Sequence, residues 1–308
     1  NLYPETDAHA GRSLAAGDFD GDGYDDLVVG APGASANGVS DAGAIDVWYG
    51  RSVSLGDPIR WHDGNPEPSD EFGHTLTTGD FNGDGYEDAA VGAPLEDVGT
   101  QADDAGAVTI IYGSSVNGLG SEGAQLWYQD VITDSQGDPI DPSEENDNFG
   151  HALAAGDFNG DGYDDLVIGA PGEGTSALAP NRGAVQTLNG TAGGLTANNS
   201  RIWYGTFGNY YLGTALTAGD FNRDGYDDFA AGMPGENVYA NGVIQSEAGG
   251  VNVYYSDGTL PDVYPPAVVH IDSTDIPGTA AETGDFFGDT LATLPAPSAH
   301  VYLPLIQR

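Results

Sequence analysis

The chain has 308 residues and a formal net charge of -41, and all seven of its basic residues are arginine. So acidic a surface repels nucleic acid and anionic membranes and favours cations or basic partners, and no stretch is apolar for long enough to span a bilayer. Cysteine is absent, which excludes disulfides and thiolate metal sites, while 48 glycines and 18 prolines point to short strands and tight turns.

The first residues, NLYPETDAHAG, hold no basic segment followed by an apolar one, so no secretion signal is expected within the chain. The first predicted strand is AGRSLAAGD (10–18). It runs into the acidic turn GDFDGDGYDD and out along the apolar strand DLVVGAP (26–32). After the loop ASANGVSDA (34–42) comes a third strand, GAIDVWYG (43–50), and a fourth carries Trp61 in IRWHDG.

The same order then returns three times. Opening strands read FGHTLTTGD (72–80), FGHALAAGD (149–157) and LGTALTAGD (212–220). Third strands read GAVTIIYG (106–113), GAVQTLNG (183–190) and GVNVYYSDG (250–258), and fourth strands are QLWYQD, RIWYGT and AVVHID. The aspartates opening the acidic turns, Asp18, Asp80, Asp157 and Asp220, are 62, 77 and 63 residues apart by subtraction. A period of that size with four short strands describes an all-β propeller built of four-stranded antiparallel blades. Apolar residues on both faces of the third strands suit blades sandwiched between neighbours, and Trp61, Trp127 and Trp203 read as packing between blades.

The order FG, acidic loop, GAP and GxVxVYG resembles the FG-GAP repeat of integrin alpha-subunit head domains and their bacterial relatives. The resemblance runs from about residue 10 to 294 and implies a single β-propeller domain over 1–308, with repeats at about 10–71, 72–148, 149–210 and 211–286. The integrin head has seven blades, whereas here four repeats are complete. A fifth opening strand, FGDTLATL (287–294), lacks the acidic loop, so residues 287–306, with 1–8, are expected to complete a closing blade and leave no open edge.

Counted from its first aspartate, the acidic loop reads D-x-[DN]-x-D-G-x-x-D. Positions one, three, five and nine are Asp18, Asp20, Asp22, Asp26; Asp80, Asn82, Asp84, Asp88; Asp157, Asn159, Asp161, Asp165; and Asp220, Asn222, Asp224, Asp228. Glycine at position six (Gly23, Gly85, Gly162, Gly225) permits a turn that aims the carbonyl of Tyr24, Tyr86, Tyr163 or Tyr226 inward. Every donor is a hard oxygen, which favours calcium over softer metals. An EF-hand is excluded, because its glutamate at position twelve is replaced by Val29, Val91, Ile168 and Ala231. Without an ion the loop is an Asx-rich turn, but carboxylates so crowded call for a counter-ion, and up to four structural Ca2+ ions are expected. The nine-residue form resembles the calcium hairpins of integrin propellers.

No catalytic residue is assigned: nucleophile elbows, zinc-protease, phosphate-cradling and dinucleotide motifs are all missing. Arg12, His74, His151, Thr214 and Asp289 share one repeat position and would form a polar ring if that strand lines the channel; each histidine is also an ordinary strand residue. Loops 34–42, 95–105, 129–148, 172–182 and 235–248 are long and varied, and in integrin heads the partner face is the one away from the hairpins. The expected function is a secreted or cell-surface adhesion module that binds an extracellular protein or polysaccharide through those loops, with no nucleic acid and no membrane insertion. The alternative is a polysaccharide lyase or hydrolase acting at the channel mouth.

Overall fold

Each repeat becomes one four-stranded antiparallel sheet in a computed structural model that describes residues 8–98, 103–174, 180–240, 243–258, 268–272, 275 and 282–291. Blade one comprises β1 (Leu14–Gly17), β2 (Asp26–Ala31), β3 (Ala44–Trp48), a small hairpin β4 (Gly50–Arg51) and β5 (Ser54–Leu55), and β6 (Ile59–Trp61). Blade two is β7 (Thr75–Gly79), β8 (Asp88–Ala93), β9 (Ala107–Tyr112) and β10 (Gly120–Trp127). Blade three is β11 (Ala152–Gly156), β12 (Asp165–Ala170), β13 (Ala184–Leu188) and β14 (Ile202–Tyr204). Blade four is β15 (Leu216–Gly219), β16 (Asp228–Met233), a side hairpin β17 (Val238–Ala240) and β18 (Val243–Gln245), β19 (Gly250–Tyr254) and β20 (Val268–Asp272). In each sheet the strands lie side by side in sequence order, the side hairpins excepted. The opening strands abut one another in the series β1, β7, β11, β15, so they are the inner strands of a propeller.

The strand period of two explains where the core sits. In β12, Val167 points into a cluster with Phe229, Ala231 and Met233 of blade four. Its neighbours Leu166 and Ile168 point the other way, into a cluster with Ala90, Val108 and Ile110 of blade two. The hydrophobic cores therefore lie between blades, and blades two and three are dry on both faces. Trp61, Trp127 and Trp203 pack against three successive interblade clusters, as expected.

The FG and GAP signatures meet across these interfaces. A Cβ on Gly30 would fall 2.0 Å from the carbonyl oxygen of Gly73, and Gly92, Gly169 and Gly232 stand in the same relation to Gly150, Gly213 and Gly288. Only glycine lets the backbone of one blade's GAP lie on the next blade's FG. Phe287 and Gly288 therefore sit on blade four as the start of a further blade. The rest of the expected closing segment, 292–306 with residues 1–7, lies outside the described residues.

Three expectations are corrected. The opening strands start two or three residues after FG, because the FG glycines are left-handed (Gly73 φ 88, Gly150 φ 89, Gly213 φ 92) and cannot continue a strand. The fourth strand of blade two is longer than expected, taking in Gly120 with a register shift before Gln125. The loop 235–248 carries its own hairpin, β17–β18.

Candidate metal-binding hairpins and axial mouth

The acidic loops join the first and second strands of each blade, all at one end of the sheets. Their local fold follows from the aspartates themselves. Asp18 accepts from the backbone N–H of Asp22 (3.1 Å) and Gly23 (2.9 Å), Asp20 accepts from Asp22, and Asp22 accepts from Tyr24. The other three hairpins repeat the pattern through Asp80, Asp157 and Asp220. Position six is left-handed in all four, with φ from 87 to 96. One carboxylate oxygen each from Asp18, Asp20 and Asp22 lies within 4.8 Å of the others.

The aspartate at position nine is buried, 1 % exposed for Asp26 and 0 % for Asp88, Asp165 and Asp228. It ties the loop to the sheet: Asp88 accepts from Phe81 N–H at 3.0 Å and from Gly113 N–H at 2.9 Å, and Asp165 likewise from Phe158 and Gly190. Each oxygen of Asp88 keeps a lone pair for a cation, and Asp165 keeps one on Oδ2. Burial, reinforced by neighbouring aspartates, pushes Asp26 up to about 6, Asp165 to about 7 and Asp88 to about 8. A carboxyl group that resists ionisation inside a ring of hard oxygens is where a divalent cation fits, since the cation reverses that resistance. The donor set and the turn thus suit calcium held by positions one, three, five, seven and nine.

Two further functions of the hairpin emerge only in three dimensions. The acid at position eight links blades: Asp80 N–H donates to Asp164 Oδ2 at 2.9 Å and Asp157 N–H to Asp227 Oδ2 at 3.2 Å. The N–H groups of Glu87, Asp164 and Asp227 in turn donate to the carbonyls of Asp18, Asp80 and Asp157. The tyrosine at position seven covers the preceding hairpin, so a Cβ on Gly21, Gly83 or Gly160 would collide with the ring of Tyr86, Tyr163 or Tyr226. The sequence signal for both was the unbroken run Tyr-[Asp/Glu]-Asp in every copy. In the fourth hairpin position four is Arg223, held at φ 66 where its counterparts are glycines at 69 to 74.

At the opposite end the polar ring forms around the channel mouth. Arg12 Nη2 donates to His74 Nε2 at 3.2 Å, which leaves the ring proton on Nδ1 to be donated to Glu71 Oε2 at 2.8 Å. The His74 and His151 rings are 5.1 Å apart. Burial, then the nearby His74 and Arg12, pushes His151 down to about 4, so it is a neutral acceptor at neutral pH. His151, Thr214 and Asp289 line one cavity of about 710 Å3 together with Asn148, Tyr211 and Phe286. His9, Glu71, Asn148, Tyr211 and Phe286 occupy one repeat position, and all five are left-handed (φ 51 to 57). That conformation costs a non-glycine residue about 1 kcal/mol or more, and it turns the last three side chains into the mouth.

The chain can now be set beside known proteins. The family model described as FG-GAP repeat matches residues 10–48, 72–111, 149–188 and 212–252, just over half of the chain. Integrin alpha-V of Gallus gallus is 31 % identical over 238 residues, covering 74 % of this chain and 20 % of that protein. Phosphatidylinositol-glycan-specific phospholipase D of Homo sapiens is 37 % identical over 175 residues, covering 53 % of this chain and 19 % of that protein. The chain thus spans about a fifth of the length of these curated relatives. A solved rhamnogalacturonan lyase of Bacillus licheniformis aligns with a TM-score of 0.44 at 13 % identity, covering 88 % of this chain and 49 % of that one. A likeness that distant carries no functional argument.

Proposed function

The chain belongs to the FG-GAP repeat family, and on that premise we propose that it is an extracellular interaction module whose hairpins bind structural calcium and whose far loops recognise a protein or a glycan. Calcium would be held by Asp18, Asp20, Asp22, Asp26 and the Tyr24 carbonyl in the first hairpin and by the matching residues in the others. The cation supplies charge neutralisation and, by binding only the folded loop, stability.

The observation that carries the recognition half is the exposed apolar surface on ordered loops at the end away from the hairpins. Tyr239 is 73 % exposed, Ile244 62 % and Phe286 47 %, and all three stand at that end. The hairpin end exposes apolar side chains too, Val53 at 92 % and Val116 at 82 %. What favours the far end is that its exposed side chains sit on loops that vary from repeat to repeat on a rigid frame. Binding of the chain to arrayed glycans and extracellular-matrix proteins tests this. The expectation is a ligand lost in Tyr239→Ser/Ile244→Ser and kept in Val53→Ser, a hairpin-end control. A ligand insensitive to the far-end change would overturn the reading.

A second reading rests on the mouth. His151, neutral and beside His74, Arg12 and Tyr211, offers an acceptor and a cation to an acidic sugar, as a lyase or hydrolase would need. Turnover of acidic polysaccharides that vanishes in His151→Ala would establish it, and the absence of turnover across such substrates would end it.

A further inference from the structure

The segment 129–148, which lengthens the second repeat, is built to deliver polar groups to blade three. It starts with a short 3-10 turn, Gln129–Val131. Ile132 is then fully buried and packs with Ile140 against the core between blades two and three. Asp130 and Ser143 close the base of the segment through reciprocal backbone-to-side-chain hydrogen bonds. Past that closure, Glu144 and Asp147 meet Glu173, which comes three residues after the alanine of GAP in β12. One carboxylate oxygen from each of Glu144, Asp147 and Glu173 lies within 4.8 Å of the other two. Asp147 and Glu173 are each 1 % exposed.

Close carboxylates are common on so acidic a protein, and they alone establish nothing. Gln129 is the second, independent observation. Its side chain is also 1 % exposed, its Nε2 donates to Glu173 Oε2 at 3.1 Å, and its Oε1 is buried with no hydrogen-bond donor. Turning the amide over would set Oε1 against the Glu173 carboxyl group and leave the nitrogen in its place, so neither orientation satisfies both atoms with protein groups alone. Asp141 lies against the same group, its carboxyl in side-chain hydrogen bonds with Tyr204 and Glu173. Arg182 lies near Asp141 and stacks over the Tyr204 ring, 3.8 Å from its centre.

Blade two repeats the acid pair as Asp70 and Glu96, but among the described residues only the blade-three acids draw together as a cluster of three, and blades one and four resolve the place differently. Blade one has Ala34 with Ala8 packed beside it, and no charge to balance. Blade four has Glu236, which faces His270 Nε2 at 3.3 Å. In blade three Glu173 meets an amide and other acids. Oxygen donors with no nitrogen or sulfur suit a hard cation of the calcium type.

We propose that Glu144, Asp147, Glu173 and the Oε1 of Gln129 bind a divalent cation of the calcium type, distinct from those of the hairpins and at the opposite end of blade three. It would fasten the 129–148 segment to the far face. The site is independent of the hairpins, and its test keeps the two apart. Crystals of the whole chain grown with calcium, with data collected at long wavelength, should show an anomalous peak about 2.3–2.6 Å from the Asp147 and Glu173 oxygens. Glu173→Gln should remove that peak, and equilibrium dialysis should show calcium stoichiometry lower by one. Glu144→Gln, at an exposed position, should weaken binding at least tenfold and serves if the buried variant folds poorly. A peak here without peaks in the hairpins would uphold this site and refute calcium in the hairpins. Hairpin peaks with no density among Glu144, Asp147 and Glu173, or an unchanged stoichiometry in both variants, would overturn it.

Discussion

The two ends of each blade obey different rules. At the hairpin end the bond from the N–H at position five to the aspartate at position one is 3.1, 3.0, 3.1 and 3.1 Å in the four repeats. At the far end one pair of positions reads Ala8 and Ala34, Asp70 and Glu96, Asp147 and Glu173, then Tyr210 and Glu236. The hairpin repeats one crowding of oxygens four times, and the first three bond their blade to the next. The far end repeats less: two of the four blades share an Asp–Glu pair and the other two depart from it, so its residues are freer to specialise. In a propeller, uniformity marks what holds the frame together and variation marks where specific binding is sought.

The contrast is broken most severely by truncating the hairpin's buried anchor. Asp88→Ala strands the N–H groups of Phe81 and Gly113 and should cost roughly 2–6 kcal/mol in urea unfolding, at about 1–3 kcal/mol per stranded donor. Glu173→Ala at the far end, measured without divalent cations, should cost less, about 1–3 kcal/mol, because it strands the single donor Gln129 Nε2. Gly160→Ala comes next. It forces a left-handed residue (φ 74) into the Tyr226 ring, for about 2–3 kcal/mol.

The pH dependence sharpens the comparison further. In the metal-free protein Asp26, Asp165 and Asp88 titrate at about 6, 7 and 8, above their ordinary value of 3.8. The folded state therefore holds more protons than the unfolded one across pH 4 to 8, and stability must fall as pH rises through that window. With calcium the sign inverts, since the cation binds the deprotonated carboxylates. Melting curves at pH 5 and pH 8, with chelator and with calcium, should therefore cross. The smallest effect is expected of Arg223→Gly, which relieves a left-handed arginine and should stabilise the fold by about 0.5–1 kcal/mol in the same unfolding assay.

Much of this was legible in the sequence because repetition converts pattern into register. Four copies of the acidic loop located the hairpins, and alternation in the third strands announced blades that are dry on both faces. The features that stayed hidden depended on neighbours from another repeat. Asp164 reads as an ordinary turn residue, and Tyr163 as a carbonyl donor alone, until their partners, Asp80 N–H and Gly83, arrive from the blade before. The left-handed turn at His9, Glu71, Asn148, Tyr211 and Phe286 was hidden for another reason: the position holds five different residue types, so no residue preference betrays it. The acids around Gln129 were dispersed through a loop that resembled a solvent-facing insertion, and only the burial of Ile132 shows that it folds back.

The central claim is that divalent cations in the hairpins hold the blades in place. Scanning calorimetry of the chain, first stripped with chelator and then titrated with calcium, tests it most directly. A rise in Tm that saturates with the occupancy of the hairpins is predicted, worth about 2.7 kcal/mol per site at a hundredfold excess over Kd. A Tm that is the same in chelator and in calcium, with no calcium retained after dialysis, would contradict it.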